Sequence, residues 1–392
     1  MSWRKTSVME EKMKFIRMWQ GGEYTFIDLC LSFNISRTTG YKLIKRYELE
    51  GEKCFIEKSR RPKKVANKTS IEIEKRIIEL RKKHKNWGAR KLMKLLEKEL
   101  PKEQIPSETT VNAILKRNGF VKSRKRRKGK IEKQNPKFDP RSCNEIWSAD
   151  YKGKFRLGNR RYCHVLTICD SKSRYIFSCK GHYNPVYDAV REEFIKVFKK
   201  YGLPRYLHTD NGPPFGSVQA VKRFSRLSYW LIDHGVYPIF SDPGCPQQNG
   251  RHERMHKDLK VYCTNPVCMT MRSEQRLLNE FRVEYNEVRP HEALEMYTPG
   301  EVHERSKREY SDVKRGYDYP LSYVKLKVTK NGAIRWGAFN WVYISRGTIG
   351  KYVGLEQIDN GIWKVYYRHV TLGYFDEKEI NRREQYLKLS LI

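Results

Sequence analysis

Long apolar runs, paired cysteine motifs and glycine-rich phosphate loops are all missing from this sequence, and acidic residues are scarce beside basic ones. No stretch approaches the roughly 18 to 20 consecutive apolar residues that span a bilayer, which excludes a membrane-spanning helix. Met1 to Glu11 is polar, with no apolar signal region, so a cytoplasmic protein is expected. The nine cysteines are scattered from Cys30 to Cys268 without a Cys-x-x-Cys pair or a partnering His-x-x-x-His. That spacing points to reduced thiols and away from a disulfide framework or a structural zinc site. The lack of a Gly-x-x-x-x-Gly-Lys loop argues against an ATP-driven motor and against a nucleotide cofactor. What the chain has in excess is positive charge: 80 lysines and arginines against 45 acids, a net +35 in 392 residues. An imbalance of that size points to a polyanionic partner. With 39% hydrophobic and 12% aromatic residues the chain is no disordered basic tail, and its length suits roughly two to four domains.

From Val8 to Glu50 the pattern predicts three short helices. Met9, Met13, Ile16 and Trp19 share one face, Gly21-Gly22 breaks it, Phe26 and Leu29 follow, and Ser36 is placed to cap the third. In that third helix Tyr41, Ile44 and Tyr47 are expected inward and Arg37, Thr38 and Lys42 outward, the layout of a helix-turn-helix that reads DNA. The alternative is a small bundle whose basic face is only solvated. A similar series recurs between Ser70 and Phe120: helices over about 71–84 and 88–100, Pro101 and Pro106 in the connection, and Ser107 capping a third helix. There Val111, Ile114 and Leu115 would pack while Thr109, Thr110 and Asn112 reach outward. The run Lys122, Arg124, Lys125, Arg126, Arg127, Lys128, Lys130 and Lys133 repels itself and reads as a linker, its cations candidate contacts for a phosphate backbone.

After Cys143 the texture becomes α/β. Three strand patterns (147–157, 162–169, 175–179) form a meander, then helices near 186–201, 218–233, from 248, and 274–287 alternate with strands at 205–209 and 236–240. Beyond Tyr319 short strands dominate, with hairpin signals at Asn331-Gly332 and Asn360-Gly361 and with Trp336, Trp341 and Trp363 as core aromatics. The expected fold is thus multidomain α/β. Helix-turn-helix modules occupy 1–55 and 65–120, a basic linker 121–140, the α/β core 141–305 and a small SH3-like β-barrel 318–385.

Three acids hold distinct addresses in that core: Asp150 inside a strand, Asp210 at a strand's end before Asn211-Gly212, and Glu253 in the first turns of a helix. Carboxylates gathered without a cation raise one another's pKa, and a divalent metal resolves the repulsion. Spacing alone does not single these out, since α/β domains often carry acids at strand ends. The segments Ile146 to Gly153, Leu207 to Phe215 and Gly244 to His256, however, closely resemble the three active-site motifs of bacterial insertion-sequence DDE transposases, relatives of retroviral integrases. The resemblance extends through Asn286 to Leu294 and Thr298 to Val302, and covers about 141–305. It implies a ribonuclease-H-like core in which Asp150, Asp210 and Glu253 are catalytic and hold two magnesium ions, with manganese as a substitute. It further implies binding of the element's terminal inverted repeats, cleavage at the 3′ ends and strand transfer into target DNA by a homo-oligomer, nucleoid-associated when bound. The stretch from Asp210 to Glu253 is longer than in retroviral integrases, with the excess around Phe215 to Asp242, and their zinc-binding N-terminal module is missing, which favours the bacterial branch.

Glu253, His256, Lys257 and Lys260 fall at i, i+3, i+4 and i+7, so they are expected on one face, the basic members holding DNA; an ordinary Glu-to-Lys helix pair is the alternative. Asn249 lies where the family places an active-site-loop polar residue and is a candidate contact for the DNA end. Asn211 is expected to shape its loop and Asp170 to serve a turn. Arg289 and His291 are expected to pin the end of the core. Competing functions are a catalytically silent DNA-binding regulator and a nuclease without strand transfer.

Overall fold

The computed structural model describes residues 7–58, 69–121, 138–217, 220–242, 245–264, 266–313, 316–338, 340–380 and 386–390. The candidate linker cations Arg124, Lys125, Arg126 and Arg127 lie outside the described residues. The chain divides into two compact units, Met1–Ser70 and Ile71–Ile392.

In the first unit α1 (Val8–Gly21), α2 (Phe26–Ser32) and α3 (Arg37–Glu50) each start at a hydroxyl side chain, Ser7, Thr25 and Ser36, that accepts a backbone N–H three residues on. Phe15, Ile16, Leu29, Cys30 and Ile44 make the core. A Cβ at Gly40 would meet Cys30 Sγ and the Phe26 ring at 2.9 Å, so glycine lets α2 and α3 approach. Arg37, Thr38 and Lys42 are exposed. Tyr41 departs from expectation: it is 61% exposed, because the inward stripe of α3 runs through Gly40, Leu43, Ile44 and Tyr47. Its ring instead covers Phe26 from outside, 4.1 Å between centroids.

The second unit begins with α4 (Ile71–Lys83), α5 (Ala89–Leu96) and α6 (Glu108–Arg117), packed through Ile77, Leu92, Leu96, Val111, Ile114 and Leu115. Helix α5 ends four residues before the expected Leu100. Ser107 caps α6, and its Oγ lies 2.9 Å from both the Thr109 and Thr110 hydroxyls, so the cap already engages both.

A five-stranded sheet follows. Strands β1 (Ile146–Arg156), β2 (Tyr162–Asp170) and β3 (Ile176–His182) form an antiparallel meander. After α7 (Tyr187–Tyr201) come β4 (Tyr206–Thr209), α8 (Arg226–Asp233) and β5 (Tyr237–Phe240). The order is β3-β2-β1-β4-β5, with β4 parallel to β1 and β5 to β4. Helices α9 (Gly250–Cys263) and α10 (Met271–Val283) close the unit's α/β part. The helix expected over 218–233 is shorter because Gly216 and Phe224 form an antiparallel bridge and Ser225 caps α8 only afterwards. Alternation along the strands sends Trp147, Ala149, Leu166, Ile168 and Phe177 to one face, against α7 and α8. Cys163, Val165, Cys169 and Cys179 go to the other, against Met255, Leu259 and Cys263 of α9 and Leu278 and Phe281 of α10. Ser148 and Asp150 belong to that second face, which lays α9 directly over them.

The C-terminal strands are β6 (Val324–Lys327), β7 (Ala333–Trp336), β8 (Asn340–Tyr343), β9 (Tyr352–Asp359), β10 (Ile362–Tyr367), β11 (Val370–Asp376) and β12 (Leu387–Lys388). They form two open sheets, β11-β10-β9-β6 and β12-β8-β7, and not the closed barrel expected from the sequence. Asn360-Gly361 does turn the hairpin between β9 and β10, Gly361 at φ +81°. Asn331-Gly332 also turns the chain, but its flanking strands join different sheets, β6 pairing with β9 and β7 with β8. Trp336 and Trp363 are half-buried and donate to Glu377 Oε1 at 3.1 and 2.7 Å; Trp341 is half-buried as well. The sheets share a core with Phe224, Tyr229 and Ile232. Buried Asp233 at the end of α8 accepts from Lys351 Nζ at 2.8 Å, from Arg368 Nε at 3.1 Å and from the Tyr367 hydroxyl.

Candidate active site

Asp150 lies midway along β1, just before the register shift between Lys152 and Lys154, where Gly153 takes φ +23°. Asp210 follows the last residue of β4, and Gly212 N–H donates to its Oδ1 at 3.3 Å. Glu253 sits in the first turn of α9 and is exposed. Three separate elements carry the three acids, and Asp210 and Glu253 lie near enough to Asp150 for their charges to act on it. Burial, followed by the charges of Asp210 and Glu253, lifts the Asp150 carboxyl to about 7. Asp210 is also shifted upward by burial, against the hydrogen bond from Gly212. Among the described residues no cation is ion-paired with Glu253.

Helix α9 divides sharply. His252, Met255, His256, Leu259 and Cys263 are buried, whereas Glu253, Lys257 and Lys260 are exposed. The structure therefore separates His256 from the face on which the spacing put it. At i+3 it lies to one side of Glu253, and with His252 at i−4 it belongs to the inward stripe. Its Nε2 is 2.7 Å from Thr167 Oγ1, and its Nδ1 is 3.7 Å from Asp150 Oδ2. Burial, then Lys152, pushes its pKa down to about 3. His252 is also driven well below the usual imidazole value, by burial and then by His256 and His208, so both rings are neutral. Asn249, at the start of α9, donates from Nδ2 to Asp150 Oδ2 at 3.4 Å.

Sequence reasoning missed Ser148, Thr167 and His252. The signal for Ser148 was its i−2 spacing from Asp150 on a strand, and that for His252 its i−4 spacing from His256 on a helix. Thr167 stands opposite Asp150 across the β1–β2 pair, a register that sequence does not print. Asp170 holds its turn together, as expected. Its Oδ2 accepts from Ser173 N and Oγ at 2.7 Å each, and its Oδ1 from Asn144 N at 2.9 Å. Asn211 donates to Ser241 O at 2.8 Å and accepts from Arg223 at 3.0 Å, which fixes the loop after Asp210. Arg289 pairs with Asp258 of α9 at 2.7 Å, and the His291 ring packs on Tyr285. No helix among the described residues is long and apolar enough to cross a membrane.

The integrase core domain family matches residues 140–246 and 234–299. A helix-turn-helix domain family matches 11–63, and a homeodomain-like family matches 39–115. The chain is 27% identical over 58% of its length to the insertion element IS476 39.2 kDa protein of Xanthomonas euvesicatoria, spanning 63% of that protein. It is 26% identical, again over 58% of its length, to the insertion element IS407 31.7 kDa protein of Burkholderia multivorans, spanning 78% of it. Among solved structures, the HTLV-2 integrase catalytic core domain in complex with magnesium aligns with 42% of this chain and 98% of its own, at 16% identity and TM-score 0.30. Integrase core matches over the segments that bear the three acids, helix-turn-helix matches upstream and insertion-element relatives along more than half its length together support a bacterial insertion-sequence transposase with an integrase-type core.

Proposed function

We propose that this protein binds the terminal inverted repeats of its mobile element, cleaves DNA to free 3′ ends and transfers those strands into target DNA. The catalytic, metal-holding residues are Asp150, Asp210 and Glu253. The observation that carries this reading is the lifted Asp150 carboxyl: acids from a strand end and a helix lie near enough for their charges to add to burial in bringing it to about 7. A divalent cation removes that repulsion, and a set of carboxylate oxygens without thiolate suits magnesium, with manganese as a substitute. Such ions, two in this reading, supply activation of the attacking water or 3′ hydroxyl and stabilisation of the leaving oxygen.

The chain's own residues do the positioning. Asn249 steadies Asp150 from the start of α9 and contacts the DNA end. Lys257 and Lys260, exposed on the Glu253 face of α9, hold phosphates beside the acids. Segments 1–55 and 65–120 serve as two readers, through Arg37, Thr38 and Lys42 in the first and Thr109 and Thr110 in the second. The 121–140 linker follows the phosphate backbone through Arg124, Lys125, Arg126 and Arg127. The core 141–305 carries the chemistry, and 318–385 is an accessory β module. Holding two ends for joint transfer calls for a homo-oligomer. Footprinting the full chain on the DNA flanking its gene tests the reading. Protected inverted repeats are the expected result, and uniform, sequence-independent protection would remove end recognition from it.

A further inference from the structure

Beneath Asp150 the hydrogens can be counted. Thr167 Oγ1 lies 3.0 Å from the backbone carbonyl of Asp150, 2.6 Å from His252 Nε2 and 2.7 Å from His256 Nε2. A hydroxyl has one hydrogen and two lone pairs. The carbonyl can only accept, so the hydroxyl hydrogen goes there, and both rings donate their Nε2–H to the Thr167 oxygen. A neutral imidazole with its hydrogen on Nε2 keeps a lone pair on Nδ1. In His252 that lone pair is used, with Ser148 Oγ at 2.9 Å and Cys169 Sγ at 3.3 Å. In His256 it faces Asp150 Oδ2 at 3.7 Å, too far for a hydrogen bond and acceptor against acceptor when the carboxyl is ionised. Asp150, His252 and His256 bring ligand atoms within 4.8 Å of one another, and hydrogen counting leaves only one of the two rings a nitrogen to offer.

We infer that His256 is a further metal ligand, joining Asp150 through Nδ1, and that Thr167 and His252 are positioning residues that fix its tautomer. The inference rests on the metal-holding reading of Asp150, Asp210 and Glu253. Ligand bonds of about 2.1 Å reach across the gap to a shared ion. An imidazole among carboxylates moves the site's preference from magnesium toward manganese and other transition ions.

The test uses the full chain with Mn2+ alone as probe, in wild type, Asp150→Asn, His256→Gln and His252→Gln. Electron spin-echo spectroscopy of bound Mn2+ reads directly coordinated nitrogen, and a titration reads affinity. Wild type should bind Mn2+ with nitrogen modulation, and Asp150→Asn should abolish that binding. His256→Gln should lose the modulation and bind Mn2+ at least about tenfold more weakly, the loss that even an outer-shell partner brings. His252→Gln should keep the modulation. Asp150-dependent Mn2+ binding without nitrogen modulation in wild type, a result that needs no variant to fold, overturns the inference and leaves the carboxylate site standing. Modulation that survives His256→Gln and disappears in His252→Gln assigns the nitrogen to the other ring and also overturns it. Mn2+ binding indifferent to Asp150→Asn defeats the metal reading itself.

Discussion

Replacing Asp150 by asparagine should make the metal-free protein more stable. In the folded chain the Asp150 carboxyl stands at about 7, against 3.8 for a free aspartate, through burial and the charges of Asp210 and Glu253. The folded state therefore holds a proton over a range where the unfolded state has released it, and stability falls as pH rises from about 4 to about 7. At about 1.4 kcal/mol per tenfold change in proton affinity, the full excursion corresponds to about 4 kcal/mol at neutral pH. Because 19% of the side chain remains accessible and solvent screens part of the repulsion, about 2 kcal/mol is expected. The amide keeps the shape and has no charge to repel. Thermal unfolding in chelator at a pH above 7 is the assay, and the asparagine variant should melt roughly 5 °C higher. The gap should close as pH is lowered below 3.8, the free-aspartate value, where the carboxyl becomes neutral in both states. Magnesium should then raise the melting temperature of wild type and leave the variant where it was. A variant that melts at or below wild type in chelator would show that Asp150 is not held against repulsion.

Asp233 should behave in the opposite sense: burial raises its carboxyl, but Lys351 and the bonds from Tyr367 and Arg368 outweigh that and leave it below the usual value. Its contribution is present above the free-aspartate pKa and lost as pH falls through the lower folded one. Asp233→Ala should destabilise the C-terminal sheets by roughly 3 kcal/mol, visible in urea unfolding, and an unchanged profile would detach Asp233 from that junction. Lys257→Ala and Lys260→Ala should each reduce the salt dependence of DNA binding by about one phosphate contact, and an unaltered slope would return that lysine to solvent. Arg37→Ala should weaken end binding in a titration yet leave cleavage at saturating DNA intact; unchanged affinity would remove α3 as a reader.

Much of this architecture is legible in the sequence because local signals carry it. Ser36 and Ser107 cap the helices they were expected to cap, and the alternating strands of the meander appear where the periodicity puts them. Pairing between distant strands is different. Asn331-Gly332 has the composition of a hairpin turn, but β6 gains its partner from β9, and turn chemistry says nothing about which strand pairs with which. Helix faces were readable only to within one residue. Tyr41 and His256 were each placed from a spacing of three, which leaves a residue some 60° off the axis of a stripe, and the neighbours then decide. Cys30 and Phe26 crowd Gly40 and turn Tyr41 outward, while Thr167 draws His256 inward. The three acids proposed for the site were singled out by the resemblance of their motifs. The partial burial of Asp150 and the polar layer of Ser148, Thr167 and His252 beneath it depend on how β1, β2 and α9 stack, which periodicity does not encode.

DNA joining by the three acids is best tested by comparing wild type with Glu253→Gln on labelled DNA from the gene's own flanks, with a supercoiled plasmid as target and magnesium or manganese present. Cleaved and joined products should come from wild type alone. End binding should be retained by the glutamine variant, which keeps the shape of the side chain but lacks the charge that holds metal. Joined products from Glu253→Gln, or sequence-specific binding by wild type without any cleavage, would contradict the assignment of the triad.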